Sequence, residues 1–239
     1  MTRIALANIV YPATPEDSVE RVVATVARAT AAGAAIVCFP ECYVPGYRGL
    51  GHAPPPPDPE FLDRAWTRIA EAAATSRIGV ILGTERVVEA KLYATVLVID
   101  DQGKRLGFQD KVQVDPGEDG TYEPASARSV FHIGDVTLGI VICHEGWRYP
   151  ETVRYAAMRG AQIVFHPHLD EGGPSGYRPT TFADPANSFH EKAMLCRAAE
   201  NTCYFASVNY ASAGSATTSA IVRPDGSVLA WQPYGEAGL

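Results

Sequence analysis

Val136-Thr-Leu-Gly-Ile-Val-Ile-Cys-His-Glu-Gly-Trp147 is an apolar, β-branched run that stops at a cysteine and then turns through His-Glu-Gly. The pattern reads as a strand ending at Cys143, a sharp turn, and the start of a helix. A sulfur in that place sits at the positive end of a helix, where outward-pointing N–H groups favour thiolate. The same amides can stabilise an oxyanion that develops beside them. Taken alone, the segment fits a buried, inert cysteine equally well, because free cysteine is often a core residue.

Two further segments end in the same way. Ala35-Ile-Val-Cys-Phe-Pro-Glu41 is an apolar strand closed by one carboxylate, and Lys111 in Gly107-Phe-Gln-Asp-Lys-Val-Gln113 follows the strand-like Tyr93–Ile99. Each puts an ionisable group at the edge of an apolar sheet element, where α/β proteins build their sites. Together the three residue types make a workable machine. A carboxylate moves a proton, a thiolate attacks carbon, and an ammonium steadies the negative charge that results.

The rest of the chain sets this in an ordinary globular protein. With 239 residues, 46% of them apolar, and a net charge of −7, it can fill a full core as a single domain, 1–239. No Gly/Ser linker divides it, and Pro54–Pro57 is too short to act as a spacer. The acidic balance, without a basic patch, argues against nucleic acid. No apolar run approaches a membrane span, and Met1-Thr-Arg3 leads straight into a strand. Five cysteines (38, 42, 143, 196 and 203) without CxxC pairs suit a reduced, cytoplasmic setting.

Strands and helices alternate. Strands are expected at Ile4–Val10, up to Phe39, at Gly79–Gly83, Val87–Glu89, Tyr93–Asp100, Ala161–His166, Tyr204–Asn209, Ser219–Arg223 and Ser227–Trp231. Helices are expected at Pro15–Ala32 with Thr14 as cap, at about 60–76 with Asp58 as cap, and at about 150–159 and 188–200. The mixture of hairpins and crossovers gives an α/β layered domain with a mixed sheet.

FPECYVPGY (39–47), the Lys111 segment and ICHEGWRYPE (142–151) resemble the three catalytic blocks of the nitrilase superfamily of carbon–nitrogen hydrolases. RIALANIV (3–10), RGAQIVFHPH (159–168), RAAENTCYFASVN (197–209) and SAIVRPDGSVLA (219–230) extend the likeness over nearly the whole chain. The resemblance implies a four-layer αββα sandwich of two mixed β-sheets flanked by helices. It also implies a Glu41–Lys111–Cys143 triad hydrolysing a non-peptide C–N bond through a Cys thioester, with no metal and no cofactor. The substrate would be a small amide or carbamoyl compound, or a nitrile if the chain is a nitrilase. The family pattern selects Lys111, and it adds a second glutamate beside the lysine: Glu118 matches best, with Asp119 and Glu123 as alternatives. It also leads us to expect a homodimer or larger homo-oligomer, although the chain stops at Gly235–Leu239, where family members commonly continue.

The remaining candidates surround this set. The His144 backbone N–H would serve the oxyanion, and its side chain cannot easily reach the adjacent sulfur. Tyr47, Trp147, Arg148 and His168 are expected to contact substrate, with Glu145 shaping the pocket. Arg148 offers a fork for a substrate carboxylate, whereas Arg178 reads as a surface ion pair. The long loops at about 44–58 and 167–187 read as pocket walls, with Tyr177 and Phe182 as further lining. A rival reading takes His166, His168, Asp170 and His190 as metal ligands of a metallohydrolase, although Pro167 is expected to break that strand. A catalytically silent ligand-binding member is the other alternative.

Overall fold

The computed structural model describes residues 2–172, 177–186 and 189–239. The expected loop over 167–187 and the helix from 188 therefore lie partly outside the described residues, at 173–176 and 187–188. The chain forms two compact units, one of residues 1–5 and 11–128, the other of residues 6–10 and 129–239.

The first unit carries the sheet β1-β2-β3-β4-β5: β1 Ile4–Leu6, β2 Ile36–Cys38, β3 Gly79–Val88, β4 Lys91–Ile99 and β5 Arg105–Asp110. β2 runs parallel to β3, while β3/β4 and β4/β5 are antiparallel, so the sheet is mixed. Both expected caps form. The Thr14 hydroxyl accepts from Asp17 N at 3.0 Å to start α1 (Pro15–Ala31), and Asp58 accepts from Glu60 N and Phe61 N to start α2 (Pro59–Ser76). Each such cap is worth about 1 kcal/mol. Val19, Val22, Val26 and Ala29 make the buried stripe of α1, and the two helices pack on each other.

β3 is one ten-residue strand where the sequence pattern suggests two. Thr84-Glu85-Arg86 interrupts the apolar run, yet these residues pair with Thr95, Ala94 and Tyr93 of β4. The polar side chains are tolerated because each has a partner: Trp66 for Thr84, Arg48 for Glu85 and Asp110 for Arg86.

The second unit carries the sheet β11-β10-β9-β8-β7-β6. Its strands are β6 Val130–Ile133, β7 Val136–Ile140, β8 Ile163–Pro167, β9 Tyr204–Val208, β10 Ala220–Val222 and β11 Val228–Trp231. β7, β8 and β9 are parallel and the outer pairs antiparallel. The hairpin of β6 and β7 turns at Gly134 (φ +54°) and Asp135, a Gly-Asp pair of the kind that tight hairpins favour. Pro167 does not break β8. It is the strand's last residue, opposite Val208, and its carbonyl accepts from Cys143 N at 2.9 Å. Between the strands lie α3 (His144–Arg148), α4 (Pro150–Ala157) and α5 (Phe189–Asn201).

Glu191 of α5 ties this unit together. Its carboxylate accepts from Ala183 N at 2.7 Å, Thr218 N at 3.1 Å and the Tyr234 hydroxyl at 2.8 Å. Burial nevertheless pushes its carboxyl from 4.5 up to about 7. A folded-state carboxyl raised in this way contributes stability below the unfolded value and loses it as pH rises through the folded one. Urea unfolding of wild type and Glu191→Gln, followed from about pH 4.5 to 8, should show wild type losing about 2–3 kcal/mol relative to the variant. A difference independent of pH would remove the burial argument.

Candidate active site

In the first unit, the extended chain continues past β2, with Phe39 N donating to Ile81 O at 2.9 Å, and then crosses β3 very closely. A Cβ at Gly83 would lie 1.8 Å from Pro40 O, so only glycine admits that crossing. Glu41 follows at once, 1% exposed. Lys111 lies just past β5, with its N–H donating to Ala94 O at 2.9 Å and its side chain fully buried. Its Nζ stands 2.7 Å from Glu41 Oε1 and 2.8 Å from Glu118 Oε1.

Glu118 ends a short 3₁₀ turn, Pro116–Glu118, built as a capping box. Asp115 accepts from Gly117 N at 2.8 Å, and Glu118 Oε2 accepts from Asp115 N at 2.7 Å. The Tyr47 hydroxyl donates to Glu118 Oε1 at 3.0 Å. Asp119 and Glu123 are both exposed, and Glu123 pairs with Lys91 at 3.5 Å. Of the three acids, Glu118 is therefore the one brought to the lysine. Removing ions from water costs several kcal/mol each, and it is offset only where partners stand within hydrogen-bond reach. Here one ammonium has two carboxylates, which leaves the trio with a net charge of −1.

In the second unit, β7 ends at Ile140, three residues earlier than the apolar run suggests. The pairing with β8 nevertheless carries on, through Val141 N to Phe165 O at 3.0 Å and Cys143 N to Pro167 O. Cys143 itself sits at φ +48°, ψ −112°, a backbone state strained for any residue but glycine. Its carbonyl accepts from Gly146 N at 3.0 Å and lies 2.8 Å from His166 Nε2. With Nε2–H donating there, His166 Nδ1 accepts the Ser207 hydroxyl at 2.8 Å. Arg197 donates to the carbonyls of Gly146 (3.1 Å) and Trp147 (2.8 Å), closing the far end of α3. The sulfur lies 3.8 Å from Leu169 O, and the residue is 9% exposed.

α3 is only five residues long, so its macrodipole is much smaller than the sequence pattern suggests. The amides of Cys143, Glu145 and Gly146 are engaged by Pro167 O, Ile142 O and Cys143 O. Strain and backbone bonding, more than a helix dipole, define this turn.

The other candidates scatter. Trp147 is buried and stacked on His190 at 4.1 Å, and among the described residues its Nε1 has no hydrogen-bond partner. His168 is fully buried, and neither of its ring nitrogens finds a partner among the described residues. Its ring lies 4.8 Å from that of Trp147; burial, with His166 and His190 adding to it, holds its imidazole well below the usual range. Arg148 is exposed and lies over the Phe189 ring at 4.7 Å. His144 is half-buried, edge-on to Tyr149. Glu145 is buried and caps locally by accepting from Ile142 N at 2.9 Å. Tyr177, exposed, donates to Asp184, Phe182 is half-buried, and Arg178 is exposed. The rival metal set fails on geometry. His166 has both ring nitrogens engaged, Asp170 accepts from Thr217, and among the described residues no group of three or more His, Cys, Asp or Glu could hold a metal ion.

A model of the carbon–nitrogen hydrolase family matches residues 3–239. The chain belongs to the carbon–nitrogen hydrolase family. It is 27% identical to an (R)-stereoselective amidase of a Pseudomonas species over 84% of this chain and 66% of that protein. It is 27% identical to an arylacetonitrilase of Aspergillus niger over 66% of this chain and 52% of that one. The chain thus spans about two thirds or less of the length of these two relatives. Among solved structures, the amidase NitN of Nesterenkonia sp. AN1 superposes with a TM-score of 0.82 at 25% identity, covering all of this chain and 91% of the amidase. Another structure of that amidase, 24% identical, carries the product of Michael addition of acrylamide at its active-site cysteine. The fold of this carbon–nitrogen hydrolase, two mixed sheets with helices, is that of the nitrilase-superfamily amidases.

Sequence reasoning misses several residues that shape the site. Asp115-Pro-Gly-Glu118 is a capping-box signature that singles out Glu118 without any family knowledge. Glu85, Tyr122, Ser207 and Arg197 carry no such local signal, because their partners lie far away along the chain. The Gly83 crossing gives a direct test of how Glu41 is placed. Gly83→Ala should cost about 1–3 kcal/mol of stability, because the clash is with backbone and not with a movable side chain. An unchanged urea midpoint would show that the crossing has more room than the distance allows.

Proposed function

We propose that this carbon–nitrogen hydrolase is a thiol amidohydrolase, acting on a small amide or carbamoyl compound through a Cys143 thioester. The observation that carries the reading is the fully buried Lys111 ammonium held between Glu41 and Glu118. A scaffold gains nothing from that costly arrangement, whereas a reaction passing through an oxyanion does.

Glu41 takes the thiol proton and the Cys143 sulfur attacks the carbonyl carbon. The oxyanion is steadied by Lys111 and by the amide of His144. Collapse breaks the C–N bond, and the nitrogen leaves as ammonia or an amine with the proton Glu41 returns. Glu41 then deprotonates a water that attacks the thioester carbon, releasing the acid and restoring the thiol. Throughout, Glu118 keeps the lysine charged and in place. Trp147 and His168 are proposed to face the acyl group. Arg148 is a weaker candidate, since it already lies over Phe189. A homo-oligomeric assembly and a cytoplasmic setting belong to the same proposal.

Nitrile hydrolysis is the second reading, favoured by the likeness to the arylacetonitrilase. Ammonia release and intact mass across a panel of amides, carbamoyl compounds and nitriles separate the two, since only the nitrilase reading predicts acids from nitriles. Cys143→Ala should lower turnover by about 10⁴-fold or more while the fold persists. A fully active variant would end the thioester scheme. Lys111→Ala should lower kcat by about 10²–10³-fold. A change confined to KM would move the lysine from oxyanion stabilisation to binding.

A further inference from the structure

Glu85 is a buried carboxylate that the scheme above does not use, and it gathers three donors. Arg48 reaches it in a fork, Nε to Oε1 at 2.7 Å and Nη2 to Oε2 at 3.1 Å, and the Tyr122 hydroxyl donates to Oε1 at 2.7 Å. Two backbone links make the same pair a junction. Arg48 N donates to the Tyr122 oxygen at 3.2 Å, and Glu85 N donates to Val44 O at 3.1 Å. Arg48 Nη1 also holds Pro54 O at 3.1 Å. Glu85 itself cannot drift, since it sits mid-strand in β3 opposite Ala94, whose carbonyl takes the Lys111 N–H.

Both arms of this junction end on Glu118. Tyr47, the residue before Arg48, donates its hydroxyl to Glu118 Oε1 at 3.0 Å, and Tyr122 N donates to Glu118 O at 3.2 Å. Burial pushes the thiol of Cys42, next to Glu41, well up, and Glu41, Glu85 and Glu118 add to that rise.

We propose that the Arg48–Glu85 pair is a positioning clamp that holds Tyr47 and Tyr122 on Glu118, and so fixes the Lys111 ammonium for the reaction. The inference rests on the reading of Lys111 and Glu118 as working groups. The pair reaches the Lys111 ammonium only through the two tyrosines and Glu118, so its loss should act on rate more than on substrate binding.

The test uses the full chain with butyramide as probe. Glu85→Gln and Arg48→Met should each lower kcat about 10–100-fold with KM changed less than about threefold, and Arg48→Lys should recover part of the loss. If the clamp acts through Tyr47, the Tyr47→Phe/Glu85→Gln double variant should fall no further than the worse single variant. Multiplying losses, or an unchanged kcat in both single variants, would overturn the clamp. Crystal structures of Arg48→Lys and of Glu85→Gln give a readout that needs no turnover. The clamp requires the Tyr47 hydroxyl to leave Glu118 in Glu85→Gln and to stay in Arg48→Lys; a retained Tyr47–Glu118 bond in Glu85→Gln would sink it. Wild-type inactivity on every amide would instead count against the amidase reading, and the two crystal structures would still decide the clamp.

Discussion

An ammonium with no access to water must be compensated within hydrogen-bond reach, and Lys111 is compensated twice. That requirement governs much of the first unit. Glu41 arrives through a crossing that only Gly83 permits, and Glu118 arrives through a capping box fixed at both ends. Removing one partner from a buried pair costs about 3–5 kcal/mol, because the survivor is stranded. The trio is therefore a fixed point around which the loops must close, whatever chemistry it serves.

The second unit solves a different problem, which is to hold one cysteine in an unfavourable backbone state. Such strain persists only where the surroundings over-determine it. Here the supports are mutual: Cys143 N on Pro167 O, Gly146 N and His166 on Cys143 O, and Arg197 on the carbonyls beyond. His166 cannot be moved aside to relieve the turn, because Ser207 holds its other nitrogen and a Cβ at Gly146 would lie 2.5 Å from its ring. This is why the histidine that looks like a metal ligand in the sequence behaves as a brace in the fold.

Much of this is legible in the sequence, for identifiable reasons. Caps at Thr14 and Asp58 are local bonds within three residues, so the sequence carries them whole. Apolar strands ending in Glu41 and near Lys111 announce themselves because burial and charge meet abruptly. Lys111 itself is selected by family likeness, since nothing beside it in sequence distinguishes it from Lys104. Glu118 is readable from its own turn, and the choice among three acids stays open only while the capping box is overlooked. Arg48–Glu85, Tyr47–Glu118 and His166–Ser207 are 37, 71 and 41 residues apart, and no window along one sequence contains such pairs.

Where the apolar pattern misleads, it does so beside the candidate site residues. The polar centre of β3 looks like a gap between two strands, yet its Glu85 is buried in pairing, taking bonds from Arg48 and Tyr122. The run to Cys143 looks like uninterrupted strand, yet its last residues leave regular geometry to present the sulfur. A segment that breaks its own local rule must be compensated by partners elsewhere, and selection keeps such compensation where the chemistry needs it. Trp147 and His168 fit the same logic from the opposite side. Their ring nitrogens are buried without hydrogen-bond partners among the described residues, at a cost of about 1–3 kcal/mol per group, on the same unit as Cys143. A ligand that supplies those partners would recover that cost on binding, which makes this pair the place to look for what one ligand offers and another does not.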